Sequence, residues 1–214
     1  MITLIFADNH TVVRAGIRTI LSGAPDIQIV GEAENGSDVQ QLVAQLRPQV
    51  LLLELKMPGL PSAEIERWVR ANYPETTTLV LTAHDQDAYL VSMMDAGVVG
   101  WLNKEISAEK LTDAIRRAAQ GEILFDQQQL DRAEQWRKVA GEKWAGLSKR
   151  QKQVLQLLAQ GTNRVEVSNR LGSRLRMVDY HIGKFLKKLK VKSLTDAVNW
   201  VHKYFPENPG SITG

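Results

Sequence analysis

The sequence contains no cysteine, which excludes disulfides and thiolate metal sites and suits a reducing compartment. It has no run of 18 apolar residues, the length a membrane-spanning helix requires. Its four histidines, at 10, 84, 181 and 202, have no spacing that brings two to one helix face, so no metal site is expected. The opening "MITLIFADNH" lacks a basic leader and a cleavage site, so the expected location is the cytoplasm, with no membrane partner.

Charge is present but unevenly placed. Residues 1–120 carry 10 Lys and Arg against 15 Asp and Glu, and residues 121–143 carry 4 against 5. Residues 144–214 carry 13 against 4, a net of +9. An acidic first half joined to a basic last third suggests two domains, the second facing a polyanion.

From residue 2 to 120 short apolar runs alternate with helical periodicity. "ITLIFA" (2–7), "IQIVGEA" (27–33), "VLLLE" (50–54), "TTLVLT" (77–82) and "VGWLN" (99–103) read as strands. Between them Val12, Val13, Ile17, Ile20 and Leu21 mark one helix, and Val39, Leu42, Val43 and Leu46 a second that ends before Pro48. Further helices are predicted near 62–72, 86–96 and 107–120. Five strands alternating with five helices give an α/β doubly wound (βα)5 domain over 1–120. The carboxyl ends of such strands gather functional groups.

Residues 121–143 form a partly helical linker, with Leu130, Ala133, Trp136 and Val139 or Ala140 at helical spacing. From 144 to 205 the pattern is all-α, with four helices. Val154, Leu155, Leu157 and Leu158 lie in the first, a short second helix spans 163–171, Gly172 makes a turn, and two helices follow at 174–190 and 194–204. Short helix, glycine turn and basic helix form a helix-turn-helix signature. The tail 206–214, "PENPGSITG", reads as flexible.

The motifs "FADNH", "LLLELKMPG", "LVLTAH" and "GWLNKE", in this order, resemble a bacterial response-regulator receiver domain. "LSKRQKQVLQLLAQG", "VDYHIGKFLKKL" and "VKSLTDAV" resemble a LuxR-type helix-turn-helix, the NarL/FixJ arrangement. The resemblance implies a rim at which an Asp accepts a phosphoryl group, two acids hold Mg²⁺, a Thr and a Lys bind the phosphoryl oxygens, and an aromatic turns inward. Asp8, Thr82, Trp101 and Lys104 match that pattern. Asn9 replaces the second acid and Glu54 replaces the phosphoacceptor Asp.

Both departures disfavour phosphoryl transfer. Mg²⁺ favours carboxylate ligands, and an amide removes one charge from the site. Glu is one methylene longer than Asp, and misplacing a nucleophile by about 1 Å costs on the order of 100-fold in rate. No cofactor is therefore expected, and Mg²⁺ retention at this rim is disfavoured. Glu54 either reaches Lys104 and Thr82 as a partial mimic of the phosphorylated state or marks a decayed site. His10 reads as the start of the first helix, His84 as an exposed rim residue, Trp101 as core or switch, and Met93 and Met94 as packing.

In the basic domain the resemblance implies a helix inserted in the DNA major groove. Val178, His181, Phe185, Leu186 and Leu189 form its core stripe, with His181 read as packed and hydrogen-bonded. Arg150, Lys187 and Lys188 are candidate phosphate contacts, as cations on the duplex backbone. Arg174, Arg176, Tyr180, Gly183 and Lys184 complete the DNA-facing set. Met177 and Asp179 depart from the family's Thr and Lys, and Asp179 would repel phosphate or accept from a cytosine amine.

The sequence therefore predicts a transcriptional regulator that binds double-stranded DNA as a homodimer, independently of phosphorylation. The alternative is a degenerate regulator acting through another response regulator by protein–protein interaction, with weak or no specific DNA binding. No nucleophile, base and oxyanion site is assembled, so an enzyme is not expected.

Overall fold

The computed structural model describes residues 1–205; the tail read as flexible lies outside the described residues. Residues 1–131 and the residues from 132 onward form two compact units. That division falls inside the segment read as a linker.

The first unit alternates β1 (Ile2–Ala7), α1 (Thr11–Ser22), β2 (Ile27–Ala33), α2 (Gly36–Leu46), β3 (Val50–Leu53), α3 (Ser62–Asn72), β4 (Thr77–Thr82), α4 (Asp87–Ala96), β5 (Gly100–Asn103) and α5 (Ala108–Ala118). All strand pairs are parallel, in the order β2-β1-β3-β4-β5. Because side chains alternate across a strand, one face carries Ile5, Ala7, Leu51, Leu53, Val80 and Trp101 into one apolar cluster. The other carries Leu4, Phe6, Val50, Leu52, Leu79 and Leu81 into a second. Burial on both faces is why these strands read as continuous apolar runs rather than alternating ones. Removing one such side chain, as in Leu52→Ala, costs about 2–5 kcal/mol.

Two helices bury charged side chains, and the first of them departs from its expected face. Val12 on α1 is 84% exposed, whereas Arg14 is buried. At 100° per residue, Ile17 and Leu21 fix the inward line and Val12 falls opposite it. Arg14 is tolerated inside because its guanidinium donates to the Asp8 carbonyl at 2.8 Å and pairs with Glu32 and Glu34. On α3, Glu66 is fully buried, with Arg70 Nη2 3.6 Å away. Among the described residues neither its carboxyl oxygens nor the buried Thr78 hydroxyl has a hydrogen-bond partner. Burial drives the Glu66 carboxyl up to about 7, against the opposing effects of Thr78 and Arg70.

The segment before the second unit's helix-turn-helix is helical from residue 127. α6 (Gln127–Trp136) passes through a π-helical turn (Arg137–Gly141) into α7 (Glu142–Ala145). Ala133, Trp136 and Ala140 are buried, while Leu130 and Val139 are exposed. The second unit continues with α8 (Lys149–Ala159), α9 (Arg164–Arg170), α10 (Leu175–Leu189) and α11 (Leu194–Tyr204). Capping boxes start three of these, with Ser148 and Gln151, Asn163 and Glu166, and Ser193 and Asp196 exchanging hydrogen bonds. Gly172, at φ +55°, makes the turn into α10, a backbone conformation that suits glycine. Trp144 packs with Phe205 at 4.6 Å and with Trp200 at 6.5 Å, an aromatic cluster the sequence periodicity did not reveal. Among the described residues no helix is long and apolar enough to cross a membrane.

Candidate functional site: a closed acidic rim and a basic helix

Parallel pairing carries four side chains to one end of the sheet. Backbone hydrogen bonds continue past the strands, from Asp8 to the Ala33 carbonyl at 3.0 Å, from Glu54 to Ala7 at 2.9 Å and from Lys104 to Thr82 at 3.0 Å. Asp8, Glu54 and Lys104 therefore leave β1, β3 and β5 at one level, and Thr82 ends β4 between them. Asp8, Glu54, Thr82 and Trp101 are buried.

The rim is closed on itself. Glu54 Oε1 accepts from Leu55 N at 2.7 Å, from Lys56 N at 3.3 Å and from the Thr82 hydroxyl at 2.6 Å. Its other oxygen pairs with Lys104 Nζ, which lies 2.5 Å from Asp8 Oδ2. Asp8 Oδ1 accepts from His10 N at 2.8 Å and contacts His10 Nδ1 at 3.0 Å. Burial alone would lower the Lys104 pKa, but its bonds to Asp8 and Glu54 outweigh this and raise it. The ammonium thus stays charged between two buried carboxylates.

The structure therefore brings Asp8, Glu54, Thr82 and Lys104 together. Asn9 is exposed beside them. Trp101 joins the apolar cluster on one sheet face. His84, expected to be exposed, is half-buried, and its amide donates to the Thr82 hydroxyl at 3.2 Å. Met93 and Met94 pack against the same cluster as Trp101.

On α10 the inward line runs through Val178, Ile182, Phe185 and Leu189. Ile182 belongs to the stripe, and Leu186 is only half-buried. His181 is also half-buried, and its Nδ1 has no hydrogen-bond partner among the described residues, contrary to the expected hydrogen bond. It lies about 60° off the inward line, so it reaches the core edge rather than the centre. Burial and the nearby Arg150 hold its imidazole below the ordinary value.

Arg174, Arg176, Asp179, Tyr180, Gly183, Lys184, Lys187 and Lys188 are all exposed. Two of the expected phosphate contacts also serve the fold. Arg150 Nη2 donates to the Leu171 carbonyl at 2.6 Å, tying α8 to the α9–α10 turn. Lys188 Nζ donates to the Gly146 carbonyl at 2.6 Å. Asp179 does not stand alone, because Arg164 of α9 lies 3.4 Å from its carboxylate. Neither Arg164 nor the buried Glu66 was among the residues singled out from sequence. An Arg on a short polar helix looks like any solvated cation until the neighbouring helix is placed.

Residues 4–116 match the response regulator receiver domain, and residues 145–201 match the bacterial regulatory proteins of the luxR family. The response regulator protein VraR of Staphylococcus aureus is 29% identical over 203 residues, covering 95% of this chain and 97% of VraR. The structure of RcsB from Salmonella enterica serovar Typhimurium, bound to a promoter with the phosphomimetic BeF3⁻, superposes with a TM-score of 0.66. It is 24% identical, over 94% of this chain and 97% of that one. The receiver domain of the response regulator NarL from Mycobacterium tuberculosis is 29% identical, with a TM-score of 0.55, over 56% of this chain and 98% of that one. A five-stranded parallel sheet with a polar rim, a helix-turn-helix unit and these two matches lead to one assignment: the chain belongs to the response regulators that carry a LuxR-type helix-turn-helix domain.

Proposed function

We propose that this protein is a DNA-binding transcription regulator whose receiver works without phosphoryl transfer. The observation that carries this reading is Lys104 held between Glu54 and Asp8, with Thr82 donating to Glu54. The carboxylate of Glu54 already occupies the Thr and Lys that a phosphoryl group would need. Four hydrogen-bond or ion-pair partners leave its oxygens poorly placed for attack on an incoming phosphoryl donor.

The residues at the rim do not fit a divalent cation. Asp8 is tied to Lys104 and His10, and Asn9 offers a neutral amide where a carboxylate is wanted. Among the described residues no cluster of three His, Cys, Asp or Glu could hold a metal. These contacts favour Glu54 as a mimic over Glu54 as the remnant of a decayed site. A single carboxylate carries less charge than a phosphoryl group, so the mimicry is partial.

The basic helix supplies the output. Thirteen Lys and Arg against four acids from residue 144 onward favour a polyanionic partner. The protein acts as a homodimer on paired half-sites about one helical turn apart, in the cytoplasm, without catalytic turnover. The alternative, action through another regulator, drew on Met177 and Asp179, and Arg164 beside Asp179 weakens half of that argument.

The test is selection from a random duplex library with the untreated full-length protein. Enrichment of paired half-sites, unchanged by acetyl phosphate, supports the proposal. Binding that appears only after phosphoryl donor treatment, or no enrichment at all, overturns it.

A further inference from the structure

The outward face of α10 has an unusual composition for a helix in so basic a unit. Opposite the line of Val178, Ile182, Phe185 and Leu189, a turn of 100° per residue places Arg176, Tyr180, Gly183 and Lys187. Met177 and Lys184 flank them. Tyr180 is 53% exposed and Met177 44% exposed. With Arg174 and Arg176 they line an open cleft of about 600 Å³. Lys184 Nζ lies 5.4 Å from the centre of the Tyr180 ring. Beside Gly183 there is open space where a side chain would begin, so a partner can approach the backbone there.

The Met177 side chain and the Tyr180 ring, ringed by cations, set opposing demands on a partner. It must be anionic overall and must offer something apolar at the centre. The edges of base pairs in the major groove are polar except at one place, the 5-methyl group of thymine. Asp179, whose carboxylate could read a cytosine amine, lies to the side of this face and is paired with Arg164.

We propose that Met177 and Tyr180 read thymine methyl groups, making α10 a detector of thymine-containing steps by apolar contact rather than by bidentate hydrogen bonds. This inference rests on the DNA-binding reading above. The cations position the duplex through its phosphates, and the apolar pair supplies the preference among sequences.

The experiment compares two versions of one duplex with the full-length protein. The site enriched by selection is synthesised with dT or with dU at each position, which removes the methyl group and leaves the hydrogen-bonding edges unchanged. Each methyl group buried by the wild-type protein is expected to give about fourfold tighter binding. Met177→Ala and Tyr180→Ala are each expected to reduce that ratio while retaining salt-dependent binding to both duplexes. Equal wild-type affinity for the dT and dU duplexes overturns the inference and leaves DNA binding standing. No binding to any duplex overturns both.

Discussion

The Thr82 hydroxyl donates to Glu54 Oε1 at 2.6 Å, joining the ends of β4 and β3 through side chains alone. The same carboxyl group reaches Lys104 with its other oxygen. One carboxyl group thus contacts both Thr82 and Lys104, the rim residues at the ends of β4 and β5.

Replacing Glu54 with Gln leaves Lys104 paired with Asp8 alone. DNA affinity of the full-length protein is expected to fall by about 5- to 150-fold, the usual range of coupling between two sites. Titration of the selected duplex by fluorescence anisotropy checks this. An unchanged affinity would assign Glu54 to a decayed site.

Glu54→Asp alone is expected to remain unlabelled by acetyl phosphate with Mg²⁺. Asn9 still leaves the rim one carboxylate short, and its restoration in the Asn9→Asp, Glu54→Asp pair is expected to permit labelling. Intact-mass measurement distinguishes the two variants.

Glu66 makes the first unit sensitive to pH. Burial pushes its folded carboxyl up to about 7, from an ordinary value of 4.5, so the folded state holds the proton more tightly. Its stabilising contribution is complete below the unfolded value and is lost as pH rises through the folded one. Glu66→Gln is expected to remove this slope and to exceed the wild type in stability by on the order of 3 kcal/mol near pH 8. Urea unfolding at several pH values, wild type against variant, measures it.

Asp179 places a negative charge on the helix expected to face phosphates, with Arg164 as its counter-charge. Asp179→Ala is expected to tighten binding to all duplexes alike and to change folding stability by less than about 1 kcal/mol. Arg164→Ala is expected to weaken binding, because it removes a cation and exposes the carboxylate. Affinity against salt concentration reads both changes.

Ser148 closes the capping box at the start of α8, with its side chain accepting from the Gln151 amide. Ser148→Ala is expected to cost about 1 kcal/mol. For a unit of this size that lowers the melting temperature by roughly 4–8 °C. Calorimetry of the full-length protein, wild type against variant, tests it.

Strand and helix positions were legible because short continuous apolar runs alternate with apolar residues at helical spacing, and the rim because its residues follow apolar strands directly. Other features depend on what lies opposite. Val12 satisfies the helical spacing of α1 yet faces outward, since spacing alone admits several lines along a helix. Arg14 and Glu66 are charged letters that read as solvated from sequence, and only neighbouring elements bury them. In the connector Ala140 rather than Val139 turns inward, a choice that spacing left open until Ala133 and Trp136 fixed the inward line. Arg164 and Asp179 lie 15 residues apart and meet only because α9 and α10 fold back on each other.

The order of synthesis places a condition on the closed rim. Asp8, Glu54 and Thr82 all leave the ribosome before Lys104, the cation that lies against both carboxylates. A nascent chain that completed the first four strands would bury two negative charges without it, at a cost of several kcal/mol per ion. The sheet is therefore expected to remain unclosed until β5 is made, so that the receiver appears as one late, cooperative event rather than strand by strand. A fragment ending before Gly100 should accordingly behave as an unfolded chain, even though it contains four of the five strands.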